Sequence, residues 1–320
     1  MNKMNIAIGI DVGGTNLNFG VFTQSGQLIK KSIRSTNITS GGKTILINVA
    51  DEIKSIQNEL AVSRHRILGV GIGMPGPVLD NGYVESCVNL NLKDMNSTVT
   101  LSELLNGIPV VTGNDANVAA LGEMWKGGGE GYQSLLFVTL GTGVGSGVVF
   151  KQRIVYGSKG LAGEIGHIVV NPHEVEVCNC GKRGCLDQMA SATGIVRNAK
   201  RFLEFTDAES GLRSLPQLTA KEIVDFAKQG DVLAYIIVDY CMSFLGKCLA
   251  DVSYVIDPQV FVIGGGVSKA GEFLTKMIER HYEKYASLKK EKTPVVVAKL
   301  GEDAGIYGAA KMIIDAQRKE

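Results

Sequence analysis

Twice in this chain an apolar run of strand length stops at a glycine-rich turn and resumes as a second apolar run. Ile6 to Val12, the turn Asp11-Val12-Gly13-Gly14-Thr15 and Leu17 to Phe22 make the first copy. Ser134 to Leu140, the turn Leu140-Gly141-Thr142-Gly143 and Val144 to Phe150 make the second. Ile6 to Val12 carries too little polar alternation for an exposed ribbon, and the second copy repeats its arrangement. A repeat of this kind predicts two lobes, each built on its own sheet. The length of 320 residues suits that number at about 150 residues per domain.

The surrounding pattern fills in both lobes. Leu28 to Ser35 extends the first copy to a three-strand meander through the turn at Ser25-Gly26. Ile45, Val49, Ile53, Ile56 and Leu60 recur at helical spacing, Ile67 to Ile72 and Ile108 to Thr112 read as strands, and Ala116 to Lys126 reads as a helix stopped by Gly127-Gly128-Gly129. Later helices are predicted over Thr193 to Phe205, Thr219 to Lys228, Val232 to Val255 and Gly271 to Ala286, with strands at Gln259 to Ile263 and Pro294 to Ala298. The simplest assembly is α/β, two βββαβα-type lobes facing each other across a ligand cleft. Residues 1–116 form the first lobe, 117–302 the second, and a C-terminal helix over about 303–320 crosses back to the first.

Charge and cysteine content narrow the function. The net charge of +1 leaves no bulk field for nucleic acid or an anionic membrane, which favours small-molecule chemistry. Asn5 to Ile10 meets Asp11 before a secretory core could form, and the apolar stretch Leu135 to Phe150 is broken by glycines, so neither a signal peptide nor a spanning helix is expected there. Six cysteines without a leader fit a reducing cytoplasm and point to metal or buried-thiol roles.

Glycine stands at 40 residues and gathers in motifs. Without a Cβ, a Gly-Gly-Thr turn lets backbone N–H groups approach phosphate oxygens, and Thr15 and Thr142 each add a hydroxyl. A third cluster, Gly264-Gly265-Gly266, follows a strand and opens a helix, a third place for close approach to a nucleotide. The one G-x-G-x-x-G match, Gly71 to Gly76, contains Pro75 and meets Pro77 where a Rossmann helix should open, and no Walker A sequence is present. P-loop and Rossmann folds are therefore disfavoured.

Three thiolates and an imidazole make a closed structural zinc site. Cys178, Cys180 and Cys185 supply the thiolates, with His167 or His173 as the fourth ligand. Gly181 and Gly184 let the loop fold round an ion. Four protein ligands leave no open position for water, so the ion is a clamp and not a catalyst. Cys241 and Cys248 read as core residues of an apolar helix, and Cys87 has no partner signal.

These motifs together resemble the ROK sugar kinases of the actin-like and hexokinase-like ATPase superfamily, closest to bacterial ROK glucokinases. The resemblance rests on Asp11 to Thr15, Gly73 to Pro77, Gly113 to Asn117, Leu140 to Gly147, Gly163 to His167, Cys178 to Cys185 and Ile263 to Ser268. It implies duplicated ribonuclease H-like lobes and ATP-dependent phosphorylation of a hexose 6-hydroxyl, with glucose the expected acceptor, and ATP, Mg²⁺ and a structural Zn²⁺ as cofactors. Asp115 is implied as the base; read by itself it is equally a helix N-cap. Asp11 is implied to hold the hydrated Mg²⁺, where its plain reading is a turn cap. ATP is expected at Asp11, Gly13, Gly14, Thr15, Gly141, Thr142, Gly143, Gly264, Gly265 and Gly266. The sugar is expected at Gly76, Asn89, Asn114, Asp115, Glu164, His167 and Asp187. The resemblance also favours His167 as the zinc ligand and a homodimer or homotetramer.

The sequence departs from that pattern at Asp187, two residues after Cys185, where the family usually has Glu. The carboxylate is drawn back by one methylene, so the loop shifts, a water bridges, or the preferred sugar differs at C1 or C2. Kinases for N-acetylmannosamine, fructose or allose share the architecture. ROK repressors form another class, but they carry an N-terminal helix-turn-helix, whereas this chain enters its first strand by Asn5.

Overall fold

A strand covered on both faces needs apolar residues on both, and the first strand meets this requirement over its centre with Ile6, Ile8 and Ile10 on one side and Ala7 and Gly9 on the other. In the computed structural model, which describes residues 4–36, 42–61, 65–87, 90–288 and 291–318, that strand is β1 (Met4–Val12). It pairs antiparallel with β2 (Asn16–Thr23), which pairs with β3 (Leu28–Ser35). On its other edge β1 runs parallel to β4 (His65–Met74), after which come a small hairpin of β5 (Tyr83–Cys87) and β6 (Leu92–Asn96) and then β7 (Val110–Asn114). The sheet order is β3-β2-β1-β4-β7.

Helix α1 (Gly42–Ala61) lays Ile45, Val49, Ile53 and Ile56 on the isoleucine face. Between the hairpin and β7 runs α2 (Ser97–Leu104), and α3 (Asp115–Lys126) follows β7. The opposite face is covered by the C-terminal helix (Ala304–Gln317), which buries Ile306, Ala310 and Ile313 against Ala7 and Phe22. That helix lies on the sheet backbone: a Cβ on Gly71 would overlap the carbonyl of Ala309, and one on Gly308 would overlap the carbonyl of Val118 in α3.

The second sheet repeats the order of the first. It comprises β8 (Leu135–Leu140), β9 (Val144–Phe150), β10 (Arg153–Ile154), β11 (Val260–Gly264) and β12 (Val295–Val297), in the order β10-β9-β8-β11-β12. Again a meander is followed by two parallel strands, although the third strand has two residues where β3 has eight. Between β10 and β11 lie the cysteine loop and α4 (Leu186–Ala190), α5 (Ala192–Phe205), α6 (Ala220–Lys228) and α7 (Val232–Ile256). Helix α8 (Glu272–Tyr285) joins β11 to β12, and the C-terminal helix is α9. Among the described residues α7 is the one helix long and apolar enough to cross a bilayer. Its buried face, including Leu233, Ile237, Met242, Leu245 and Leu249, packs with α4, α5, α6 and α8.

The chain divides into two compact units. One holds Met1–Gln133, Gly147–Gly163 and Leu300–Glu320; the other holds Ser134–Ser146 and Glu164–Lys299. The sequence reading put the first boundary at 116, whereas the structure groups α3 with the first unit. The physical reason is the backbone-to-backbone crossing of α3 and α9, where Gly122 meets Ala304 as Gly308 meets Val118. The β5–β6 hairpin, α2 and α4 were not anticipated; at five to eight residues each they are too short for a periodicity to register.

Candidate active site and metal centre

The chemistry-bearing residues of the first unit stand at the carboxyl ends of its parallel strands, where open α/β sheets bind ligands. Asp11 near the end of β1 is in register with Gly73 of β4, and Met74 is in register with Asn114 of β7. The Asp11 carboxyl group lies against the first turn of α9, since a Cβ on Gly305 would stand 2.6 Å from its Cγ. A helix N-terminus favours such a charge. Burial nevertheless pushes the Asp11 pKa up to about 6; the neighbouring Asp115 carboxylate acts in the same sense, and a hydrogen bond with Asn18 opposes both. Two repelling carboxylates of this kind suit a divalent cation, whose charge would relieve them.

Asp115 is the first residue of α3, and the cap belongs to its neighbour. Asn114 Oδ1 accepts from the Asn117 amide at 3.1 Å, which makes Asn114 the N-cap. Asn114 Nδ2 donates to the Gly76 carbonyl and to Asp115 Oδ1, each at 3.0 Å, and Asp115 Oδ1 also accepts from the Ala116 amide at 2.8 Å. Asp115 is thus oriented by two donors and released from the capping role. Gly76 makes its turn at φ +90°. Asn89 lies outside the described residues.

The glycine turns are partly self-satisfied. The Gly13 amide donates to Asn16 O at 2.9 Å, and the Gly141 amide donates to Gly143 O at 3.0 Å. The positions open to a ligand are Gly14 and Gly266, where an added Cβ would meet nothing within 4 Å, and the exposed Thr15 and Thr142. In the second unit Gly264 is in register with Thr139, and Gly265, at φ +82°, comes so close to β8 that a Cβ would stand 2.5 Å from Leu140 O. The second and third clusters therefore sit side by side at the ends of parallel β8 and β11.

His167, Cys178, Cys180 and Cys185 come together with all ligand atoms within 4.8 Å of one another. Tetrahedral zinc with Zn–S bonds of about 2.3 Å requires ligand separations of roughly 3.8 Å. The Cys180 and Cys185 sulfurs are 3.5 Å apart, and Cys178 Sγ is 3.9 Å from His167 Nδ1, so the donor set fits. His173 is not in the group; its amide donates to Asn171 Oδ1. The loop folds on itself through the Cys178 amide to Lys182 O at 2.7 Å, with Gly181 and Gly184 at φ +85° and +77°. Glu164 immediately precedes the 3-10 turn Ile165–His167; desolvation holds its carboxyl above the ordinary range, and His167 pulls the other way. Cys241 and Cys248 are buried in α7, and burial pushes both thiols up to about 12.

Sequence reasoning missed the residues that brace this loop. Gln188 Oε1 accepts from the Gly184 and Cys185 amides at 2.8 and 3.2 Å, while its Nε2 donates to Glu176 O at 3.0 Å. Arg201 grips buried Glu174 with two bonds of 2.8 and 2.9 Å, and Arg197 adds bonds to Glu176 and to the Gln188 carbonyl. Only the i, i+4 spacing of the two arginines on α5 hinted at a shared face.

The Arg201 hydrogen bonds, with the Glu176 amide and the Arg197 charge, lower the Glu174 pKa to about 2, although burial opposes them. A depressed folded-state pKa supplies stability above the unfolded value of about 4.5 that is lost as pH falls towards 2. Glu174→Gln is expected to lower stability at pH 7 by about 1–3 kcal/mol and to flatten the decline between pH 4.5 and 2. Urea unfolding at both ends of that range checks this; equal slopes in the two proteins would remove Glu174 as its source.

Two five-stranded α/β sheets of the same strand order, with the candidate site residues at the carboxyl ends of their parallel strands, define an actin-like two-lobed protein. The chain belongs to the ROK family, which it matches over residues 7–316. It is 40% identical over 311 residues to a glucokinase of Halalkalibacterium halodurans, covering 96% of this chain and 94% of that protein. The crystal structure of a ROK hexokinase from Thermus thermophilus is similar at 31% identity and a TM-score of 0.80, covering 96% of this chain and 97% of that one. A Streptomyces griseus ROK family glucokinase in complex with glucose and AMPPNP is similar at 31% identity and a TM-score of 0.75, covering 96% and 98%.

Proposed function

We propose that this protein is an ATP-dependent sugar kinase that transfers the γ-phosphoryl group of ATP to the 6-hydroxyl of glucose. The observation that carries the reading is the Asp11–Asp115 pair. One carboxylate is relieved of helix capping and oriented by two donors, and the other is held beside it with its pKa raised to about 6. Phosphoryl transfer asks a protein mainly to position its reactants and spread charge. Asp115 receives the proton of the attacking hydroxyl at its carboxylate. Asn114 fixes that carboxylate and links it to the Gly76 backbone.

Asp11 would hold the hydrated Mg²⁺, which neutralises phosphate charge when bound. His167, Cys178, Cys180 and Cys185 would hold zinc as a clamp on the loop. With Nδ1 as the metal-facing nitrogen, the other His167 ring nitrogen can meet a sugar hydroxyl, and Glu164 beside it is a second partner. Thr15, Gly14, Thr142 and Gly266 are the donors proposed for the nucleotide phosphates.

A panel of glucose, fructose, allose and N-acetylmannosamine with ATP and Mg²⁺, read by ADP release, tests the reading. Glucose is expected to give the highest kcat/KM by at least about tenfold. A better acceptor among the other three would replace glucose, and no ADP release above background with any hexose would end the kinase reading.

A further inference from the structure

The carboxylate of Asp187 is turned towards the second glycine turn. Asp187 Oδ1 accepts from the Val144 amide at 2.6 Å, at the point where the turn re-enters β9. The same oxygen stands 2.6 Å from where a Cβ on Gly143 would lie, so glycine there is what admits it. Two further bonds run from the same stretch of chain to the same turn: the Ala192 amide donates to Gly141 O at 2.8 Å, and Thr193 Oγ1 donates to Thr142 O at 2.7 Å. Ser191 Oγ, which donates to the Asp187 carbonyl at 2.5 Å, caps α5 by accepting from the Gly194 amide at 3.0 Å. Asp187, Ala192 and Thr193 thus hold Val144, Gly141 and Thr142, with the Asp187 carboxylate lying against Gly143.

The metal loop runs into the same end of α4 that carries Asp187. Cys185 immediately precedes Leu186, and the Leu186 amide donates to Ile168 O at 2.9 Å, next to His167. The first turn of α4 therefore meets a metal ligand and, through Asp187, the glycine turn, while Ala192 and Thr193 beyond its last residue reach the same turn. The length of the side chain matters. The short aspartate side chain brings Oδ1 to the Val144 amide and against Gly143 at once.

We propose that Asp187 is a positioning residue for the nucleotide: it fixes the Gly141–Gly143 turn in its phosphate-accepting shape and links that shape to the metal loop, instead of acting chiefly on the sugar. The inference rests on the proposed kinase reading, which assigns the turn to ATP. It divides the labour of the segment, with His167 and Glu164 left to orient the acceptor.

The test compares wild type, Asp187→Ala and Asp187→Asn in the metal-loaded protein. Asn keeps an acceptor at Oδ1 and Ala does not. Calorimetry with MgADP and separately with glucose, amide hydrogen exchange at Val144 and steady-state KM values are read for each. Asp187→Ala is expected to weaken MgADP by about tenfold, to raise the KM for ATP in proportion and to speed Val144 exchange, with glucose affinity unchanged within about twofold. Asp187→Asn is expected to restore most of each effect. Unaltered MgADP affinity and Val144 exchange in the alanine variant would overturn the proposal, as would weakened glucose binding with MgADP unaffected, which would mark a direct sugar contact. A wild-type protein that binds no MgADP would refute the kinase reading instead, while the exchange measurement still decides whether Asp187 holds the turn.

Discussion

Asp115→Asn is expected to bind glucose and MgADP within about threefold of wild type and to turn over about 10²–10⁴ times more slowly, the usual contribution of a positioned general base. The substitution is mild for the fold. Asparagine keeps an Oδ1 acceptor for the Ala116 amide and for Asn114 Nδ2, and the N-cap belongs to Asn114. Stability should therefore stay within about 0.5 kcal/mol. The change also removes a charge that helps to raise Asp11, so the Asp11 pKa should drop from about 6. Single-turnover ADP release checks the rate, and carboxyl-carbon NMR titration checks Asp11. A variant keeping more than a tenth of wild-type kcat would remove Asp115 as the base.

Loss of the proposed zinc is expected to be the second large effect. Structural zinc sites contribute on the order of 10–16 kcal/mol in small peptides that have little else to hold them. Here the rest of the second unit has its own core around α7, so removal should melt the loop and spare the unit. Glu174 and Gln188 still tie the loop to α5 and α4, which confines the disorder to the turns about Cys178 to Cys185. Cys185→Ser or exhaustive chelation is expected to cut kcat/KM for glucose by more than about tenfold, because His167 then loses the partners that orient its ring. Metal analysis should give one zinc per chain in wild type and none in Cys185→Ser, and hydrogen exchange should rise in the loop. Full activity in protein freed of metal would refute the clamp.

How much was legible in the sequence varies with the range of the interactions involved. Strands such as β1 and β8 declare themselves by unbroken apolar runs, Ile6–Ile10 and Leu135–Val138, and α1 because Ile45, Val49, Ile53 and Ile56 keep helical spacing. The members of the metal-binding cluster were legible as residue types, but spacing left His167 and His173 as equals. The distinction rests on the 3-10 turn Ile165–His167, which brings His167 Nδ1 to 3.9 Å from Cys178 Sγ. Asp115 was readable as either a cap or a base; a hydrogen bond from the Asn117 amide to its neighbour decided the cap.

The duplicated strand–turn–strand pattern, the ligand chemistry of the cysteine loop and the ROK membership were fixed by the order of residues along the chain, since each depends on local spacing and side-chain type. Which acids share a field, which turn amides are already spent and where Asp187 points were decided by the folded structure. These depend on partners tens to hundreds of residues away, such as Gly305 against Asp11 and Asp187 against Val144. Burial and hydrogen bonding set the charge and aim of a carboxylate, and neither exists until distant segments of the chain have packed together.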